Sequence, residues 1–305
     1  MGGSGGSYFP HASDNLTELV RQSKAEADKA RLDADVNNLL RQVIPSFQRD
    51  PETEQEYLDS IRNALGVEIE MLNFLFGGSV AKHTYVDGLS DVDSLVILNQ
   101  EHYAGKTPNE VLEAFHSALR DNLNEGNVAS IDKGRLAVTI RFRDGKEIQL
   151  LPALRTGETI LISNATGDKW KETAPKKFQK SLTSINKRLN GMLIGVIKLF
   201  KSLNSGLAKQ SQLTGYHIES LAVDAVKGYR KNKTYKELLL HVLDSASRRV
   251  LSPIADVTGQ SRIVDEYLGP ANSGKRRLAS NTLSGVLRKL SSAKTSEDWR
   301  KVLID

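Results

Sequence analysis

One stretch limits the folds open to this 305-residue chain more than any other: residues 74–98, FLFGGSVAKHTYVDGLSDVDSLVIL. It reads as a hydrophobic strand, a glycine turn with a serine, a short helical segment, and a second strand that opens with two aspartates. Asp91 and Asp93 are two apart, so on a strand they share a face, about 6.6 Å from each other along the chain. The apolar run Leu95-Val96-Ile97-Leu98 anchors that strand in a core and leaves the acids at its leading end. Gly77 and Gly78 let the backbone turn tightly and approach a ligand closely. The Ser79 hydroxyl and the free N–H groups of a following helix start suit a phosphate.

Two aspartates at a loop-to-strand junction are most often turn formers, and Gly-Gly-Ser is most often only a turn. The combination is far more specific than either part. Two carboxylates held this way can share a pair of divalent cations about 3.5–4 Å apart. Other chemistries fit poorly. There is no cysteine, no paired-histidine metal motif and no Walker phosphate loop. The six histidines are scattered, and His83 near the acids reads as structural.

The order of elements around this stretch predicts an α+β chain. Residues 14–45 carry one apolar stripe through charged sequence, and Tyr57, Ile61 and Leu65 share the face of a helix ending at Gly66. A strand is predicted over 67–76, and a helix from Thr107-Pro108-Asn109-Glu110 to Gly126. Strands follow at 128–131, 136–142 and 147–151, the last two joined by the hairpin pair Asp144-Gly145. From Pro175 the period changes to threes and fours: Phe178, Leu182, Ile185, Leu189, Leu193, Val196 and Phe200. Later helices are predicted over 216–229, 234–250, 279–293 and 296–303, with Thr234 and Glu237 as a capping box. The division is therefore a Gly/Ser linker over 1–7 that reads as artificial, a sheet lobe with N-terminal helices over 8–174, and a helical lobe over 175–305.

Composition narrows the setting. A hydrophobic content of 39% and a charged content of 26% describe a globular protein. No apolar run approaches the roughly 20 residues of a membrane span, and zero cysteines fit a reducing cytoplasm. The net charge of +5 suits polyanionic ligands such as nucleoside triphosphates, or nucleic acid. The basic clusters at Lys176, Lys177 and Lys180, at Lys187 and Arg188, at Lys227, Arg230, Lys231 and Lys233, and at Lys275, Arg276 and Arg277 read mostly as solvated faces, and nucleic acid is not the favoured partner.

The Gly78-Ser79 turn with Asp91 and Asp93 resembles the active-site signature of the polymerase-beta-like nucleotidyltransferases. Later segments narrow the resemblance to the bacterial cGAS/DncV-like nucleotidyltransferases (CD-NTases), the cyclic-oligonucleotide synthases of CBASS anti-phage signalling. Asp168-Lys169-Trp170 with Thr173-Ala174-Pro175, the run Leu193–Asn204, and Gly215-Tyr216-His217-Ile218-Glu219 are similar to that family in the same order. The resemblance implies a mixed-sheet lobe and a helical lobe with the active site in the cleft between them. It implies Mg²⁺ or Mn²⁺ on Asp91, Asp93 and a third acid of a neighbouring strand. It also implies nucleoside triphosphates, ATP among them, as substrates, no membrane partner, and a downstream effector reached through the product.

For the third acid, many relatives have aspartate three residues before the proline of Leu-Pro-Ala, where this chain has Gln149. Others in the superfamily place it five before, where this chain has Glu147. Glu147 is chosen, because a neutral amide is a poor ligand for a divalent cation; an altered site marked by Gln149 is the alternative. By the same resemblance Gly78 and Ser79 hold donor phosphates. Lys201, with Lys198 as runner-up, meets the triphosphate, and Tyr216 and Asn164 are candidates near the base. The alternatives to cyclisation are linear oligonucleotides, another acceptor, or an impaired nucleotide-binding module.

Overall fold

The computed structural model describes residues 11–46, 51–66, 71–76, 92–99, 101–103, 105–123, 126–157, 159–164, 166–173, 175–255 and 264–304, with backbone alone at 11–16, 51–54, 71–76, 92, 93, 173, 175, 176 and 304. Two helices come first, α1 (His11–Ser46) and α2 (Pro51–Gly66), followed by the strands β1 (Met71–Phe76) and β2 (Val92–Leu98). Next are α3 (Pro108–Asn122), β3 (Val128–Lys133), β4 (Val138–Phe142), β5 (Glu147–Thr156), β6 (Thr159–Ser163) and β7 (Trp170–Thr173). Among the described residues six α-helices follow: α4 (Pro175–Arg188), α5 (Met192–Ser205), α6 (Gly215–Ala225), α7 (Tyr235–Arg249), α8 (Gly274–Ser292) and α9 (Ser296–Ile304).

The strands form one mixed sheet in the order β1-β2-β5-β4-β3, with β6 bonded to β5 and β7 to β6. Every pairing is antiparallel except β2 with β5. A parallel pair needs a crossover, and α3 with the β3–β4 hairpin lies in that connection. α3 starts on a complete capping box, in which the Thr107 hydroxyl accepts from the Glu110 N–H and the Glu110 carboxylate accepts from the Thr107 N–H at 2.7 Å. One face of the sheet buries Val96, Leu98, Ile140, Ile148, Leu150 and Leu154 against Tyr57, Leu58 and Ile61 of α2 and Val111, Phe115 and Leu119 of α3. The opposite face carries a small cluster of Leu95, Ile97, Ala153 and Ile160.

β7 ends at Thr173, and from α4 onward the helices share a second core. By sequence α1 goes with the sheet lobe or packs across both lobes; its buried side chains Val36, Leu39, Leu40 and Val43 pack with the later helices, where Lys236 of α7 also pairs with Asp33. Residues 14–45 form a single helix, and α1 is exposed over most of 17–31, with Leu19 and Val20 more than half accessible.

Candidate active site

The parallel ladder between β2 and β5 positions the candidate acids. Position 93 is in register with Gln149, and Val92 with Ile148. β4 continues the rows: Thr139 faces Gln149 and Arg141 faces Glu147. β3 completes them, with Ser130 opposite Arg141 and Asp132 opposite Thr139. Register partners share a face and alternate residues share it too. Position 93, Glu147, Gln149, Thr139, Arg141, Asp132 and Ser130 therefore lie on the face opposite Ile148 and Leu150, which are buried under α2 and α3. Gly78, Ser79, His83 and Asp91 lie outside the described residues, as does the short helix expected before Asp91. Asp93 is described by its backbone only.

Glu147 is not isolated on that face. The Arg141 Nε–H donates to its Oε2 at 2.8 Å, and the same guanidinium donates to the Asp132 carboxylate, which also accepts from the Ser130 hydroxyl at 2.8 Å. Arg141 thus clamps two acids on one strip. No motif in the sequence singles out Arg141, although the alternation of Val138-Thr-Ile-Arg-Phe142 puts it on the polar side. The acids and Gln149 together are an oxygen-only donor set, which suits a hard cation such as Mg²⁺. The second carboxylate oxygen of Glu147 accepts no hydrogen bond among the described residues, so the side chain can serve a cation without leaving Arg141. Among the described residues alone no three acids or histidines form a metal-sized group.

The helical candidates are built differently from the expectation. Lys201 is 6% exposed and donates to the Glu219 carboxylate at 3.0 Å, which is 1% exposed. Its ammonium also lies beside the start of α6: a Cβ on Gly215 would stand 3.5 Å from Nζ. Lys198 is half-buried, and that burial, with the Lys201 charge nearby, lowers its pKa. Tyr216 is half-buried, and its ring tilts against Phe178 at 5.4 Å. Asn164 organises its own loop: its Oδ1 accepts from the N–H groups of Gly167, Asp168 and Lys169, and its Nδ2 donates to Asp168. Those bonds occupy the amide that base recognition would require.

A buried polar network behind α6 was not anticipated. The Thr214 hydroxyl caps α6, and the Thr214 N–H donates to the Tyr267 hydroxyl at 3.1 Å. That hydroxyl lies 2.9 Å from Nδ1 of the fully buried His217. Asp265, beneath it, accepts from Arg276 at 2.7 Å and from the Ile254 N–H at 3.0 Å. Burial is the main reason the His217 pKa falls to about 4, with Arg276 and Arg249 adding to it and Asp265 opposing it.

This arrangement belongs to a known class. The model of the "Second Messenger Oligonucleotide or Dinucleotide Synthetase domain" matches residues 31–186, about half of the chain. The chain is a member of that family, and its fold is that of the polymerase-beta-like CD-NTases. Among individual relatives, the cyclic AMP-AMP-AMP synthase of Acinetobacter sp. (strain ATCC 27244 / 9458) is 24% identical over 222 residues, covering 68% of this chain and 62% of that protein. The match thus spans less than two thirds of that relative's length. Solved structures share the fold, and two of them illustrate it. The CD-NTase CdnG of Bradyrhizobium diazoefficiens, in complex with GTP, has a TM-score of 0.64 at 13% identity, covering 87% of this chain and 94% of that one. The cyclic AMP-GMP synthase DncV of Vibrio cholerae has a TM-score of 0.62 at 11% identity, covering 97% and 90%. No helix among the described residues is long and apolar enough to cross a membrane.

Proposed function

We propose that this protein is a nucleotidyltransferase that joins nucleoside triphosphates into a cyclic oligonucleotide and releases pyrophosphate. The observation that carries the reading is the β2–β5 register, which sets position 93 of the Asp-x-Asp strand beside the Glu147–Gln149 strand in a chain of this family. Asp91, Asp93 and Glu147 would hold Mg²⁺ or Mn²⁺. Such cations, when bound, neutralise triphosphate charge and lower the pKa of an attacking hydroxyl. Gly78 and Ser79 offer N–H and hydroxyl donors to the donor phosphates. Tyr216 stacks on a base by turning from Phe178. Lys201 adds positive charge beside the first turn of α6, reduced by its pairing with Glu219.

An acceptor ribose hydroxyl forms a bond to the α-phosphorus as the α–β bridging bond breaks. Its proton passes to solvent and pyrophosphate leaves. A final attack by the linear oligonucleotide's free ribose hydroxyl on the α-phosphorus of its own 5′-triphosphate closes the ring, as the α–β bridging bond breaks and a last pyrophosphate leaves. In the cell such a product would act as a second messenger for anti-phage defence through an effector. The test is mass spectrometry of products formed from all four labelled triphosphates with Mg²⁺ or Mn²⁺. A phosphatase-resistant labelled oligonucleotide is expected; labelled ends open to phosphatase would leave only linear synthesis.

Gln149 favours a second reading, a nucleotide-binding module with impaired catalysis, because the residue in register with Asp93 is neutral. Pyrophosphate release by the wild type and by Asp91→Asn/Asp93→Asn separates the two. Equal, absent release from both proteins supports the module.

A further inference from the structure

Two acids and one arginine stand in a row on the open face of the sheet, and the arginine divides itself unevenly between them. Glu147 of β5 is directly opposite Arg141 of β4, while Asp132 of β3, opposite Thr139, meets the same guanidinium diagonally. Arg141 donates from Nε to Glu147 at 2.8 Å and from Nη1 to Asp132. Its Nη2 has no hydrogen-bond partner among the described residues.

A guanidinium beside a single carboxylate commonly closes on it with two parallel bonds. Arg21 does so on Glu18: Nε donates to one oxygen at 2.9 Å and Nη2 to the other at 2.8 Å. Arg141 offers Glu147 the same Nε–Nη2 edge and uses only Nε, so one carboxylate oxygen is left over.

Asp132 is held firmly enough to draw the guanidinium aside. Its Oδ2 also accepts from the Ser130 hydroxyl at 2.8 Å. The residues on either side of it anchor β3 to α3: Lys133 pairs with Glu113, and Nε2 of His116 lies 3.5 Å from the Ile131 carbonyl oxygen. Arg141 is steadied by its neighbour Phe142, whose ring stacks on Tyr57 of α2 at 3.7 Å. Asp132 and Glu147 are two strands apart, roughly 10 Å between backbones, so what they share is the arginine and not a cation.

Exposed cross-strand charges often do no more than support a sheet. Here the outer acid has a consequence for the inner one. Two carboxylates and one guanidinium leave the row with a net charge of −1. Without the Asp132 charge, nothing in the row would hold Nη1 away from Glu147, and the free Nε–Nη2 edge would close on both of its oxygens. A carboxylate engaged in that way has no oxygen left for a metal ion.

We propose that Asp132 is a positioning residue for the metal site: by holding Nη1 it confines Arg141 to one oxygen of Glu147 and keeps the other open to the cation. The inference rests on the reading of Glu147 as a metal ligand of a nucleotidyltransferase.

The test is Mn²⁺ affinity, measured by paramagnetic resonance with a non-hydrolysable triphosphate. Asp132 is about half exposed, so it can be replaced without loss of the fold. Asp132→Asn is expected to weaken Mn²⁺ binding about tenfold, as removal of a ligand's outer partner does, and Asp132→Glu to restore it. The effect runs through Arg141, so adding Asp132→Asn to Arg141→Gln is expected to change affinity by less than about twofold. A loss of equal size in both backgrounds would mean that the missing charge acts directly on the cation, and would overturn the proposal. Wild-type affinity in Asp132→Asn or in Glu147→Gln would overturn it too. A crystal structure of metal-free Asp132→Asn supplies a readout that needs no cation. Nε and Nη2 of Arg141 are expected on the two oxygens of Glu147, and a single bond there would sink the idea. All of these results leave the nucleotidyltransferase reading standing as long as the wild type binds Mn²⁺ and triphosphate; a wild type that binds neither would remove both together.

Discussion

At the scale of single residues, the β5 strand decides how well a cation is held. Glu147 is a carboxylate one step removed from the register of Asp93, while Gln149 is in register but neutral. A site that relies on Glu147 keeps an amide where a charge would serve a divalent cation better. Gln149→Asp is therefore expected to tighten Mn²⁺ binding, measured by paramagnetic resonance with a non-hydrolysable triphosphate, by about tenfold, or roughly 1.4 kcal/mol. Glu147→Gln is expected to weaken it by a similar factor. If Gln149→Asp tightens binding while Glu147→Gln changes nothing, Glu147 belongs to Arg141 alone.

His217 supports a second prediction at this scale. Its folded pKa, about 4, lies below the ordinary value of 6.5. The unfolded chain binds the proton more readily in the interval between, so stability is complete above about pH 6.5 and is lost as pH falls toward 4. The loss amounts to roughly 3 kcal/mol by pH 4. Urea midpoints at pH 7 and pH 4.5 should differ less for His217→Gln than for the wild type; an equal difference would assign the acid sensitivity to other groups.

At the scale of elements, α5 and α6 are joined by a buried charge pair. Removing one partner leaves the other charged and dry, a cost of about 3–5 kcal/mol, whereas replacing both with apolar residues is often neutral. Glu219→Gln is thus expected to lower stability in urea by about 3 kcal/mol, and Lys201→Met/Glu219→Leu to recover most of it. The double variant also separates two roles of Lys201. If it is stable yet binds triphosphate more weakly, the ammonium serves the ligand as well as the fold; unchanged affinity assigns it to the fold. The pair illustrates what a sequence conceals. Periodicity placed Lys201 on an amphipathic helix, and Glu219 stood in a segment already singled out, but nothing local says that the two meet. The same limit explains β6 and β7. Thr159–Ser163 and the polar Trp170–Thr173 are strands because a tight turn with Gly157 at φ 58 returns the chain onto an extended β5, a tertiary cause with a faint local pattern. By contrast, β2, the β4–β5 hairpin and the capped start of α3 were legible because their signals lie within a few residues. α1 was legible as helical but not in its partner, since an apolar stripe says which side is buried and not against what.

At the scale of the whole molecule, two hydrophobic cores matter more than any single contact. The sheet and α2–α3 share one, and α1 with α4–α9 share the other. The residues proposed to meet the triphosphate come from both: Gly78, Ser79, Asp91, Asp93 and Glu147 from the first half, Lys201 and Tyr216 from the second. A ligand bound only to the folded state stabilises what it touches, by about 2.7 kcal/mol at a hundred times its Kd. The chain carries its own reporters of each core, because its two tryptophans are divided between them. Trp170 packs against the sheet core and donates its indole N–H to the Lys106 carbonyl at 2.9 Å, while Trp299 of α9 is fully buried among the helices. Fluorescence unfolding of Trp170→Phe reads the helical core, and that of Trp299→Phe reads the sheet. With Mg²⁺ and a non-hydrolysable triphosphate near a hundred times Kd, both midpoints are expected to rise, and Asp93→Asn should remove both shifts. A rise confined to the sheet reporter would detach Lys201 and Tyr216 from the triphosphate and leave binding to the Asp-x-Asp strand and its glycine turn alone.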